Sequence, residues 1–270
     1  MDIVIVNYNA GAQLQACIAS LGGKNAIVID CGEPSGYPFA HACANRGFGA
    51  ACNLGAGFGD DELILFLNPD VRVLPGTLDK AETALKAQPR CAILGVRLFG
   101  NDGKTQPSRI RFIRTRHFIL RTKLAGYYDT NETSGWCDCI LGAFMLVRRS
   151  VFEALGGFDE RFFLYFEEVD LALRAHALGF GCFYLGEACA VHSGGGTTAP
   201  LQRLRTYHSI RSRFLYALKH FKHYMPLVLY TLLAELPLRL LIRPNRRDTL
   251  YAYITAAKTL KELKYETGRI

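Results

Sequence analysis

Apolar positions follow two rhythms along the chain. The short β-branched runs Asp2-Ile-Val-Ile-Val-Asn7 and Ala26-Ile-Val-Ile-Asp30 bracket a segment in which Leu14, Cys17, Ile18 and Leu21 recur at helical spacing. That pattern predicts a βαβ unit. A third strand, Leu63-Ile-Leu-Phe-Leu67, runs directly into Asn68-Pro69-Asp70; a helical pattern follows from Pro75 to about Ala87, and a further strand from Cys91 to Phe99. Strands alternating with helices predict an α/β fold with a mostly parallel sheet. In such sheets ligands gather beyond the carboxyl ends of the strands. Three polar clusters stand there: Asn7-Tyr8-Asn9, Asp30 with Cys31-Gly32, and Asn68-Pro69-Asp70.

Past residue 200 the rhythm is helical. Leu204, Tyr207, Ile210, Phe214, Leu218 and Phe221 form an apolar stripe, with Arg203, Arg205, Arg211, Arg213, Lys219 and Lys222 largely off it. This predicts a basic amphipathic helix. The stretch from Met225 to Ile242 is apolar but interrupted by Pro226, Glu235, Pro237 and Arg239. It matches poorly a spanning helix of about 20 apolar residues and is expected to lie on a membrane surface. The expected organisation is a body over 1–199 and a helical, membrane-associating tail over 200–270.

Charge divides along the same line. The 270 residues are half hydrophobic, enough for a real core, which excludes a disordered or low-complexity chain. Of the net +8, residues 200–270 hold 14 Lys or Arg against 4 Asp or Glu, net +10; the remaining 18 basic and 20 acidic residues give the body −2. A neutral body with a basic tail points to an anionic surface, membrane or nucleic acid. The long apolar run favours lipid, so no nucleic-acid partner is expected. Nine scattered cysteines and no charged, cleavable segment before Asp2 make a reducing cytoplasm the expected compartment. Cys137-x-Cys139 is too closely spaced for a zinc knuckle.

Several positions carry candidate chemistry. Asp70, behind a proline at the end of a buried strand, reads as a turn residue or as a ligand for a divalent cation and its diphosphate. Glu167, Glu168 and Asp170 enter a helix after a hydrophobic run. Asp170 and Arg174 are an i,i+4 ion pair, while the two glutamates point about 100° apart, so one can face a cleft while the other braces it. Crowded like charges raise a pKa, which suits a general base; a helix N-terminus that favours acids is the bland alternative. His192 precedes a glycine turn whose amides could meet phosphate; it is a metal ligand or a packed residue. From Arg109 to Lys123 six basic residues and His117 occur without an acid, a solvated loop or a basic lid. Gly47-x-Gly49 lacks the third glycine of the dinucleotide fingerprint.

Jointly, the order and spacing of these clusters resemble the rhamnosyltransferase-like branch of the inverting family 2 glycosyltransferases over about residues 1–200. The matching segments are Val4-Ile-Val-Asn-Tyr-Asn9, Asn45-x-Gly-Phe with Asn53-Leu-Gly55, Phe66-Leu-Asn-Pro-Asp70, Gly142-Ala-Phe-Met-Leu-Val-Arg148, Gly157-Phe-Asp-Glu160 with Phe162-Phe163, Glu167-Glu168-Val-Asp170-Leu, and Val191-His192. The resemblance implies a GT-A fold, Rossmann-like with flanking helices. It implies that Val6, Asn7, Tyr8 and Asp30 hold the nucleobase and that Gly47 and Asn53 help seat the nucleoside. Asn68 and Asp70 stand at the family's Asp-x-Asp position, Asp70 and His192 are the implied ligands of Mg²⁺ or Mn²⁺, and Glu168 is the implied base. Three departures stand out: Cys31-Gly32 follows Asp30, the Glu-Asp pair is Glu167-Glu168, and the family's Asp-Trp reads Asp138-Cys139, leaving Trp136 as the candidate sugar-stacking aromatic.

The expected function is metal-dependent, inverting transfer of a sugar, foremost L-rhamnose from dTDP-rhamnose, to a lipid-linked or cell-surface glycan. The enzyme is expected to be peripheral on the cytoplasmic membrane face. The alternatives are a UDP-sugar transferase with a soluble acceptor, its tail a homodimer interface, and a scaffold that binds nucleotide sugar without turnover.

Overall fold

The structure is a computed structural model and describes residues 1–112, 128–194, 201–242 and 245–268. These form two compact units: 1–112, 128–161 and 167–194 in the first, 162–166, 201–242 and 245–268 in the second. Among the described residues, the second unit thus includes five from within the expected 1–199 body.

A ten-stranded sheet organises the first unit. Its strands are β1 (Asp2–Asn7), β2 (Ile27–Asp30), β3 (Ala40–Ala42), β4 (Leu63–Leu67), β5 (Val71–Val73), β6 (Cys91–Phe99), β7 (Thr105–Gln106), β10 (Gly135–Cys137), β12 (Phe144–Arg148) and β13 (Gly181–His192). The spatial order is β10-β13-β6-β12-β4-β1-β2-β3, with β5 added against β13 and β7 against β6. Strands β1, β2, β3, β4, β6 and β13 run one way; β12 is inserted antiparallel between β4 and β6. A separate small sheet joins β11 (Cys139–Ile140), β8 (Arg109–Ile110) and β9 (Tyr128–Asp129).

The expected strands and helices form at the expected places. Central β4 is buried along its whole length, as a continuous apolar run must be when both faces are covered. On one face, Leu14 and Cys17 of α1 (Ala12–Ala19) and Leu78, Ala81 and Leu85 of α3 (Thr77–Lys86) join Ile3, Ile5, Leu65 and Leu67 in the core. On the other, Phe66 meets Phe152 of α4 (Arg149–Ala154) and Phe158 at ring-centroid separations of 5.2 and 5.1 Å. α2 (Phe48–Ala56) lies so close on this face that a Cβ on Gly55 would stand 2.4 Å from Val4 Cγ1 and 3.2 Å from Ile29 Cγ1. Because β12 is reversed, its start, the finishes of β1, β2 and β4, and His192 of β13 all fall on one edge.

The second unit is helical: α6 (Gln202–His220), α7 (Met225–Tyr230), a π-helical turn (Thr231–Glu235), α8 (Leu236–Ile242), α9 (Arg246–Lys258) and α10 (Leu260–Glu266). α6 corrects the expectation of an amphipathic surface helix. Its buried positions run unbroken from Ser212 to Leu218, so it is enclosed on every side there. Arg213, expected off the apolar stripe, is 1% exposed because Glu235 of the π turn pairs with it.

Gly55→Ala should overpack the α2 contact and cost about 1–3 kcal/mol. Thermal unfolding checks this: the variant should melt several degrees lower, roughly 2–4 °C per kcal/mol in a domain near this size.

Candidate active site

The edge of the sheet assembles the site from separate parts of the chain. Asn7 faces Asp30 across β1 and β2. Its amide donates to Asp30 Oδ1 at 2.7 Å, and its own Oδ1 accepts from Ala10 N at 3.0 Å. Asp30 Oδ2 accepts from Ser35 N and Ser35 Oγ, both at 2.8 Å. A buried carboxylate with about four acceptor sites therefore keeps one for a ligand. Val6 and Tyr8 are half-buried beside Cys31 and Cys43. Asn9 takes the left-handed conformation and accepts from Glu33 N at 2.8 Å; a Cβ on Gly32 would lie 2.4 Å from Asn9 Oδ1, which explains the glycine.

Asp70 and His192 meet because β5 pairs antiparallel with the end of β13, Val71 opposite His192. His192 Nε2 stands 3.5 Å from Asp70 Oδ1. That exceeds the usual N–H···O range of about 2.7–3.2 Å. Two bonds of about 2.1 Å to a shared cation, meeting at about 90–110°, would separate their donor atoms by about 3.0–3.4 Å. At 3.5 Å the pair stands about 0.1 Å outside that range, close enough to take a cation with a small shift. Gln106 Oε1 is 2.9 Å from His192 Nδ1, and Gln106 Nε2 donates to the His192 carbonyl at 2.9 Å. These bonds assign the imidazole proton to Nδ1 and leave the Nε2 lone pair facing Asp70, the way an outer partner orients a metal-binding histidine. Gln106 belongs to no motif; only its place in β7, beside Leu98 of β6, reveals it.

The turn at Asn68 connects this seat to the acidic helix. Val71 N donates to Asn68 O at 3.1 Å, and Asn68 N donates to Ala143 O at 2.9 Å. Next to Ala143, a Cβ on Gly142 would lie 3.7 Å from Glu168 Cβ. Residues 142–143 thus touch both the Asn68 turn and Glu168. α5 (Glu167–Ala177) begins directly after Tyr165 and Phe166, both left-handed at φ 68° and 73°. Such backbone stores about 1–3 kcal/mol per residue and is concentrated at functional sites.

The two glutamates diverge, as their helical offset requires. Glu167 turns toward α2, where a Cβ on Gly49 would lie 3.7 Å from its own; it is 5% exposed and its Oε2 has no hydrogen-bond partner. Burial foremost, and the Glu168 charge second, push its carboxyl well above the usual range. Glu168, half-buried, faces the 142–143 turn. Asp170 pairs with Arg174 at 2.7 Å, and Arg174 spends its other nitrogens on the carbonyls of Leu155 and Gly157 at 2.8 and 2.9 Å.

Other expected residues have different surroundings. Asn53, expected to seat the nucleoside, donates to Phe158 O and Glu160 Oε1 and accepts from Phe158 N, at 2.9, 3.2 and 2.8 Å. Both its donors are spent on bracing the 158–160 loop. Gly47, at φ 107°, opens α2 as expected of a position that excludes a side chain. Trp136 does not stand with the metal pair: it opposes Phe183, which faces Leu94 of β6, whereas Val191 faces Phe99. Five residues of ladder, roughly 17 Å, separate the two ends, so Trp136 is no stacking partner for a sugar at the Asp70 edge. Asp138 accepts from Phe112 N at 2.8 Å. Arg109, expected in a solvated loop or a basic lid, is instead buried, 3.1 Å from Asp129 and donating to the carbonyls of Asn131, Thr133 and Trp136. The rest of that basic run from 113, and the glycine turn beyond Gly194, lie outside the described residues.

Comparison with known proteins gives a family and a fold. The model of glycosyl transferase family group 2 matches residues 63–260. An N-acetylglucosaminyl-diphospho-decaprenol L-rhamnosyltransferase of Mycobacterium tuberculosis is 29% identical over 293 aligned positions, covering 92% of this chain and 94% of the relative. Rhamnosyltransferase WbbL of Escherichia coli K12 is 34% identical over 147, covering 49% of this chain and 53% of the relative. Among solved structures, the Pyrobaculum calidifontis mannosyltransferase PcManGT, in complex with GDP-Man and Mn²⁺, superposes with a TM-score of 0.55 at 15% identity, covering 99% of this chain and 83% of that one. At that identity the likeness is one of GT-A fold.

Glu167 generates a pH prediction. Its folded pKa is raised, so above the ordinary 4.5 the native state holds a proton that the unfolded chain has released, and stability falls as pH rises toward the folded pKa. The slope approaches about 1.4 kcal/mol per pH unit in that window. Glu167→Gln should remove it, melting progressively higher than the parent as pH is raised. Parallel melting curves across pH would refute the assignment.

Proposed function

The chain belongs to glycosyl transferase family group 2, and on that premise we propose that it transfers L-rhamnose from dTDP-L-rhamnose, with inversion, to a sugar carried on a polyprenyl diphosphate at the cytoplasmic membrane face. The observation that carries this reading is the convergence on one sheet edge of the Asp70–His192 seat with the Glu167–Glu168 pair. The mycobacterial relative, aligned over nearly all of both chains, supports the choice of sugar and acceptor class.

In this reading Asp30 offers its remaining lone pair to the imide N–H of thymine, between Val6 and Tyr8, while Asn7 keeps its carboxylate oriented. Asp70 and His192 hold Mg²⁺ or Mn²⁺, with Gln106 fixing the imidazole. The cation, when bound, supplies positive charge to the donor diphosphate. With the pair's proton on buried Glu167, Glu168 is the carboxylate able to accept another. It takes the proton of the acceptor hydroxyl as that oxygen bonds to the anomeric carbon. The bond to the diphosphate breaks on the opposite face, and its electron pair leaves with dTDP.

The full chain should transfer rhamnose from dTDP-rhamnose to an N-acetylglucosaminyl diphosphate lipid in preference to UDP- or GDP-sugar donors, followed by mass spectrometry of the lipid product. Glu168→Gln should lower kcat by about 10²–10⁴ with donor affinity retained; near-normal turnover would remove the base from the scheme.

Gln106→Ala tests the metal seat. It should weaken Mn²⁺ binding, followed by electron paramagnetic resonance without donor, by about 10–100-fold, and His192→Ala should abolish it. Unchanged Mn²⁺ affinity in both would place the cation elsewhere.

A further inference from the structure

Between Met225 and Ile242, every exposed position of the second unit is apolar. Leu229, Leu233, Leu238, Leu241 and Ile242 are 49%, 72%, 58%, 74% and 71% exposed. We propose that this ridge docks the protein on a bilayer carrying anionic lipid, with the helix lying in the headgroup plane. The proposal rests on the reading of a lipid-linked acceptor for its biological sense and on the surface itself for its physics.

The backbone aligns the ridge. At about 100° per residue, an unbroken α-helix would carry Leu241 about 120° around the axis from Leu229. The π turn at Thr231–Glu235 takes up one extra residue, which cancels about 100° of that drift. Leu229, Leu233 and Leu241 come into line. Thr231 and Glu235, about 200° and 140° round from Leu229, fall on the opposite side, 0% and 7% exposed.

Charge then selects the partner. The stretch has two charged side chains, and neither is on the ridge: Glu235 accepts from Arg239 at 2.7 Å and pairs with buried Arg213 of α6. Nothing ionic opposes insertion of the leucines. Exposed Lys222 and His223 precede the ridge, and exposed Arg246 and Arg247 follow it, so both ends attract lipid phosphate. A second copy packed ridge to ridge would bring these basic ends against one another. With 18 residues and a mean hydropathy of 1.6, the stretch is also long and apolar enough to cross a membrane. Crossing would place Glu235 in hydrocarbon and part it from Arg213, which is packed in the core of the unit.

Flotation of the full chain tests this, using equimolar phosphatidylcholine–phosphatidylglycerol vesicles against phosphatidylcholine alone. The protein should float with the mixed vesicles, stay behind with the neutral ones and be released by alkaline carbonate. Leu233→Ser/Leu241→Ser/Ile242→Ser should lower the bound fraction about tenfold or more with an unchanged circular dichroism spectrum, and Arg246→Glu/Arg247→Glu should weaken binding to the anionic vesicles alone. Wild-type binding to the triple variant, equal binding to neutral vesicles, resistance to carbonate, or a solution dimer that the triple substitution dissolves would each overturn the proposal. No donor or acceptor is present, so failed transfer to a lipid acceptor with intact flotation would count against the acceptor reading alone.

Discussion

The chemistry of the first unit hangs on a short antiparallel pairing, three residues of β5 against the last three of β13. It is the contact that brings Asp70 to His192 across the intervening fold, and it holds them 3.5 Å apart, beyond a direct hydrogen bond. The rest of the sheet serves this arrangement. Reversal of β12 sends the 142–143 turn to the same edge, and that turn links the Asn68 backbone to Glu168.

Around this edge, polar side chains fix loops whose backbone would otherwise be free. Arg174 holds the carbonyls of Leu155 and Gly157 while itself neutralising buried Asp170. Asn53 grips both backbone atoms of Phe158. Gln106 holds the carbonyl and the imidazole Nδ1 of His192. Each satisfies buried groups that would otherwise carry a desolvation cost of about 1–3 kcal/mol, so the loops are ordered by hydrogen bonds as much as by apolar packing. Glu167 stands in contrast, a buried carboxyl with one oxygen that has no hydrogen-bond partner and a charge disfavoured by its surroundings.

A different economy governs the second unit. α6 is basic yet enclosed, which the Arg213–Glu235 pair makes tolerable. Pairing Glu235 with Arg213 and the half-buried Arg239 leaves every exposed position from 225 to 242 apolar. The π turn is the geometric counterpart, since its extra residue brings Leu241 into line with Leu229 while Glu235 stays on the buried side.

Periodicity alone determined β1, α1, β2, β4, α3 and β6 and their alternation, because such elements are patterned by the burial they undergo. The order of the acidic and polar clusters likewise singled out Asp70, Glu168 and His192 as candidates, since each lies at an element's end and such ends are legible locally. Tertiary structure decided which residues surround them. Gln106 became an orienting partner through sheet register, Asn53 became a brace because the 158–160 loop folds over it, and Trp136 was carried to the far end of β13. The basic stripe of α6 misled for the same reason: a charge written in the sequence says nothing of the opposite charge that the fold brings to it, and Arg213 found Glu235.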